Sequence, residues 1–196
     1  MPSIQEFIPF KDYMYIGNVN EIDLDKLQVF VDSVYSSDKE GRQFSNRGGW
    51  QSNDLYPFQN LYSEHTTFSQ LLDCLKSTLF FGLKESTENE FNIEVGNSWI
   101  NINTEGDFNI FHSHPGGIYS SVFYLTDDNS PIMFADLNTA RSAFIGFTKT
   151  LMFFCVTILS IQRREIIFSS LVIFSIWLNR QSTNVLVLLQ IGILKI

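Results

Sequence analysis

Apolar residues recur at intervals of three and four between Ile22 and Ser36, at Leu24, Leu27, Phe30, Val31 and Val34. That spacing predicts a helix with one buried face. Phe68, Leu71, Leu72, Leu75 and Leu79 repeat it, with Thr66 or Thr67 placed as an N-cap and Gly82 near the expected end. Between the two helices, Ser37 to Asp54 is polar, glycine-bearing and aromatic. It is too long for a plain connector and is expected to cover a pocket. From Phe91 the pattern turns to alternation: Trp99, Asn101 and Asn103 share one face of a strand, and Ile100 and Ile102 the other. Phe108 to His114 and Tyr119 to Leu125 read as further strands, and after the turn residues Asp127 to Pro131 a fourth opens at Ile132-Met133-Phe134. Short strands at this spacing predict a mainly β barrel or sandwich with flanking helices.

A chain of 196 residues is long enough for one domain with a real core. The net charge of −8 leaves no basic stripe, which argues against nucleic acid as a partner. Two cysteines, Cys74 and Cys155, lack metal-type spacing, and Met1 to Lys11 has no signal-peptide pattern, so a reduced, cytoplasmic protein is expected. The composition then breaks. Residues 150 to 196 contain no Asp, His, Pro or Tyr, and Glu165 is their only acid beside Arg163, Arg164, Arg180 and Lys195, so this tail carries +3 and the rest −11. Its apolar runs, Leu151 to Ile161 and Ile166 to Leu178, are interrupted by Gln162-Arg163-Arg164-Glu165. Each is shorter than the roughly 20 residues of a membrane span, which disfavours insertion.

His112-Ser113-His114-Pro115 carries the sharpest local chemistry, because on a strand residues i and i+2 face the same way and can share a metal. Alone, such a pair is more often structural or on the surface. Its surroundings change the weighting. Ser45-Asn46, Gly48-Gly49-Trp50-Gln51-Ser52, Trp99-Ile100-Asn101, Gly106, Asn109, the histidine pair and Ser120 to Leu125 follow one another in the order and spacing of a family of small 2-oxoglutarate/Fe(II)-dependent oxygenases, which the chain resembles over about residues 40 to 140. The resemblance implies a double-stranded β-helix (jelly roll) with helices on its outer sheet, and Fe(II) at the barrel mouth with 2-oxoglutarate as co-substrate. His112 is then the first metal ligand and His114 the second candidate, although the superfamily's usual motif ends in a carboxylate. Asn101 and Asn109 become candidate partners for the co-substrate or a ligating histidine, or else sheet and turn amides. Trp50 and Trp99 are candidate substrate-loop residues. A non-catalytic barrel binding a small molecule or a protein, and a cupin-type metalloenzyme, are the other readings of such a β-helix.

The family supplies a third ligand from a later histidine motif and an arginine from a following Arg-Ile-Ser-Ile strand; neither occurs here, and the remaining histidine, His65, precedes the second helix. The preceding reading frame offers an explanation. Leu171 to Arg180, back-translated and read one nucleotide earlier, can give P-S-Y-L-Q-H-L-V-E-P; Asn184 to Leu188 can give E-R-I-S-I, and Arg163-Arg164-Glu165 can give K-G-D. The expected organisation is therefore an oxygenase-like domain over residues 1 to 149, its β-helix incomplete at the C-terminal end, and an apolar, out-of-frame remnant of its last strands over 150 to 196.

Overall fold

The structure, a computed structural model, describes residues 14–55, 66–85, 91–110, 112, 114, 119–126, 131–135, 156–160, 165–169, 175–177 and 184–194. Helix α1 (Leu24–Ser37) buries the five apolar positions of the expected stripe. Asp23 caps it, its carboxylate accepting the Lys26 backbone N–H at 3.1 Å and satisfying one of the first-turn donors; the Lys26 ammonium, 3.0 Å from the other carboxylate oxygen, and after it that backbone hydrogen bond hold the Asp23 carboxyl below its ordinary value. Helix α2 (Thr66–Lys84) runs past Gly82, which therefore does not end it. A side chain at Gly82 would press on the Tyr15 ring, so this glycine serves close packing instead. Phe30 of α1 stacks on Phe68 of α2, with ring centroids 4.9 Å apart.

The strands form two antiparallel sheets. Along the chain they are β1 (Met14–Asn18), β2 (Asn46–Arg47), β3 (Trp50–Gln51), β4 (Asn92–Asn103), β5 (Phe108–Asn109), β6 (Tyr119–Tyr124), β7 (Pro131–Ala135), β8 (Val156–Ser160), β9 (Glu165–Ser169), β10 (Ser175–Trp177) and β11 (Asn184–Leu194). The larger sheet has the order β1-β9-β6-β11-β4-β3 and the smaller β2-β5-β10-β7-β8. Four strands of the tail thus enter the sheets, with β11 paired to β4 from Asn184 to Leu194 and to β6 from Leu186 to Ile191. Among the described residues no helix is long and apolar enough to cross a membrane.

Strand alternation gives the larger sheet two different faces. Ile100, Tyr119, Phe123 and Leu125 join the core built on Leu27, Phe30, Leu71, Leu75 and Leu79 of the helices, with Ile102 packed against it. The opposite face carries Trp99, Asn101 and Asn103, all buried, as the alternation predicted. The segment between α1 and β3 is tied to both sheets, through β2 on β5 and β3 on β4. Gly48 and Gly49 have positive φ, 68° and 62°, and a Cβ on Gly49 would occupy the place of the Asn103 amide oxygen. Glycine is required there for both reasons.

Candidate metal centre

Strand β5 ends at Asn109, so the expected strand from Phe108 to His114 is shorter, and His112 and His114 lie on the chain just beyond it. Their rings nonetheless converge, Nε2 to Nε2, at 2.9 Å. His112 is oriented by its other nitrogen, 2.7 Å from the Ile110 carbonyl. A carbonyl only accepts, so Nδ1 carries the proton and Nε2 presents its lone pair. His114 Nδ1 lies 3.0 Å from the Ser120 hydroxyl, which can donate or accept. Burial, and after it the neighbouring His112, push the His114 imidazole down to about 4, which keeps this ring neutral near pH 7.

Two nitrogens bound at right angles to one ion at roughly 2.1 Å would stand about 3.0 Å apart, so the observed separation suits two adjacent ligands of one divalent ion. Imidazole donors favour iron, zinc, copper or nickel over magnesium or calcium. The pair supplies only part of a ligand set: among the described residues no group of three His, Cys, Asp or Glu is placed to hold a metal. His65 lies outside the described residues.

The imidazoles line a cavity of about 410 Å³ together with Arg42, Gln51, Asp54, Asn97, Trp99 and others. Trp99 meets the His114 ring edge-on at 5.2 Å and is a wall of the site. Trp50 is not. In register Trp50 pairs with Ile102 and Gln51 with Asn101, so Trp50 turns to the helices, where it donates to the Asp38 carbonyl at 2.8 Å and meets Tyr35 edge-on. The neighbouring Gln51 turns to the cavity. Asn109 belongs to a buried chain in which Asn103 Nδ2 donates to Asn109 Oδ1 at 3.2 Å and Asn109 Nδ2 to Ser45 Oγ at 2.9 Å; this braces β5 against β4. Asn101 Oδ1 is buried without a hydrogen-bond partner among the described residues. The sequence reading missed Arg42, Asn97, Gln51 and Ser120. Gln51 and Ser120 stood inside recognised strings, but only strand register shows which way they face.

No family model matches the chain, and no curated protein matches it. Solved structures do match in fold. HygX from Streptomyces hygroscopicus, with nickel, 2-oxoglutarate and hygromycin B bound, aligns with a TM-score of 0.60 at 8% identity, over 91% of this chain and 82% of that one. The collagen prolyl hydroxylase of Paramecium bursaria Chlorella virus-1, in complex with 2-oxoglutarate, gives 0.53 at 9% identity over 91% and 95%. A Pseudomonas putida prolyl-4-hydroxylase gives 0.51 at 12% identity over 91% and 92%. The chain thus has the fold of 2-oxoglutarate/Fe(II) oxygenases. Residues 1 to 149 are only about three-quarters of the sequence, so the likeness includes residues of the tail.

Proposed function

We propose that this chain derives from an Fe(II)/2-oxoglutarate-dependent dioxygenase whose metal is held by His112 and His114, and that it lacks turnover as it stands because its tail is out of frame. The observation that carries the reading is the convergence of two Nε2 atoms at 2.9 Å in the wall of a ligand-sized cavity on an oxygenase fold. Each strand from β4 to β11 can be assigned to the larger or the smaller sheet, and the sequence runs larger, smaller, larger, smaller, smaller, larger, smaller, larger. This winding supports a double-stranded β-helix, with α1 and α2 on its outer face.

Backbone pairing also supports the account of the tail. Ile176 lies opposite Asn109, three positions before His112, and the histidine of the preceding frame shares two of its three bases with the codon of Ile176. The arginine falls likewise on Val185, at the start of β11. A third imidazole and a guanidinium would therefore enter beside the existing pair and on a central strand. Iron, when bound, would supply oxygen activation coupled to 2-oxoglutarate decarboxylation, and the substrate would be hydroxylated. His112 and His114 would hold the ion, Trp99 would wall His114, and Asn101 would offer an amide to a bound molecule. Asn109 would act through β5 as a positioning residue. The test is metal content: a version with the preceding frame restored from about residue 150 binds one Fe(II), and His112→Ala removes it. Unchanged iron by elemental analysis in that variant rejects the ligand assignment.

A further inference from the structure

The cavity beside the imidazoles combines a closed ion pair with an unanswered acceptor. Arg42 donates from Nε to the Ser52 carbonyl at 3.0 Å and from Nη2 to Asp54 Oδ1 at 2.6 Å, and its guanidinium lies 4.9 Å from the centre of the Phe44 ring. The two charges answer each other, with side chains only 22% and 29% exposed. A charged ligand would compete for one of them and leave the other uncompensated away from water, which is costly. Asn97 stands two positions before Trp99 on β4 and so shares its face of the strand; it lines the cavity as well. Its Oδ1 is buried without a hydrogen-bond partner among the described residues, although buried polar atoms in native proteins are nearly always paired. An amide oxygen is satisfied by a donor and not by a second acceptor.

We propose that this cavity takes an uncharged ligand that joins an N–H or O–H donor, directed at Asn97 Oδ1, to an apolar body lying on Phe44, Ile110 and Trp99. Phe44, 64% exposed, and Ile110, 38% exposed, both line the cavity, and the Ile110 N–H, donating to the Ser45 carbonyl at 2.8 Å, keeps their segments side by side. Large apolar side chains left open to water at a cavity rim are a surface for a ligand to cover. Trp99, edge-on to His114, closes the inner wall, and a volume of about 410 Å³ lies in the range of small-molecule sites. An anion would bring its lone pairs towards Asn97 Oδ1 and Asp54, and a cation would face the Arg42 guanidinium. A neutral donor meets neither obstacle. For the proposed oxygenase such a ligand would be the substrate, and only that word rests on the oxygenase reading.

The test uses the full 196-residue chain with nitrogen-15 in its tryptophans and a chelator present. The Trp99 indole N–H resonance, assigned by its loss in Trp99→Phe, is followed during titration with phenylacetamide, phenylacetate and phenethylamine, which are close in shape and differ in charge. Saturable movement with phenylacetamide is expected, at an affinity about tenfold or more above that of either charged probe. Asn97→Leu, similar in size but without the acceptor, weakens phenylacetamide binding by about tenfold while leaving the starting Trp99 resonance in place. Asp54→Asn releases the charge of Arg42 and reverses the order, so that phenylacetate binds more tightly than phenylacetamide; this variant decides alone if Asn97→Leu loses the resonance. No movement with phenylacetamide, a charged probe bound as tightly by the unaltered chain, unchanged affinity in a folded Asn97→Leu, or an unchanged order in Asp54→Asn overturns the proposal. Zinc titration of the same sample without chelator reports on the imidazoles separately, so a metal site that fails and a ligand site that holds are distinguishable.

Discussion

The Ser120 hydroxyl partners His114 Nδ1 and can either donate to that nitrogen or accept from it. With no ion present, the imidazole pair is satisfied when His114 Nε2–H donates to His112 Nε2 and the Ser120 hydroxyl donates to His114 Nδ1. With an ion bound, both Nε2 atoms must present lone pairs, so His114 carries its proton on Nδ1 and Ser120 accepts it. A buried hydroxyl that can rotate serves both states, and losing such an outer partner typically costs about 10- to 100-fold in metal affinity. Ser120→Ala should therefore lower zinc affinity by about tenfold or more, whereas Ser120→Thr should keep it; isothermal titration of both decides. That His112, His114 and Trp99 would lie close together was legible from a local string and from strand alternation, and all three line one cavity. Trp50 misled because conspicuous aromatic chemistry says nothing of facing: a one-residue step along β3 sends Trp50 to the core and Gln51 to the cavity.

The helices were the most readable elements, because their apolar spacing is the same property that packs them. Leu71, Leu75 and Leu79 are fully buried, so Leu75→Ala should destabilise the fold by about 2 to 4 kcal/mol, measured by urea unfolding. A change below about 0.5 kcal/mol would place that position outside the core. Strands β2 and β3, two residues each, were not visible as strands, since two residues hold no period. Their glycines gave the only hint. Gly49→Ala should strain a left-handed position and displace the Asn103 amide. Because β2 and β3 tie the segment bearing Arg42 and Gln51 to both sheets, proteolytic nicking within 38–55 should become faster in this variant, checked by mass spectrometry. An unchanged cleavage rate would show that the segment is held by other contacts.

At the scale of the whole molecule, the sequence divides by composition where the fold does not divide by sheet. Four tail strands take places in the sheets, and β11 lies in the middle of the larger one. Apolar, uncharged runs such as Val185 to Leu189 can satisfy backbone pairing whatever frame produced them, since ladder hydrogen bonds are indifferent to side-chain identity. Catalytic groups are not interchangeable in this way. The oxygenase fold was thus legible from the motifs over about residues 40 to 140, whereas the proposed histidine and arginine rest on the nucleotide logic of the tail alone. The version with the preceding frame restored should melt at a higher temperature than the chain as it stands, by calorimetry, because side chains as well as backbone would then match the sheets. The most direct measurement is succinate formed from 2-oxoglutarate with Fe(II) and oxygen, in both versions side by side. Succinate from the restored chain and none from the present one is the predicted result; turnover by the present chain, or none by the restored one, would contradict the account.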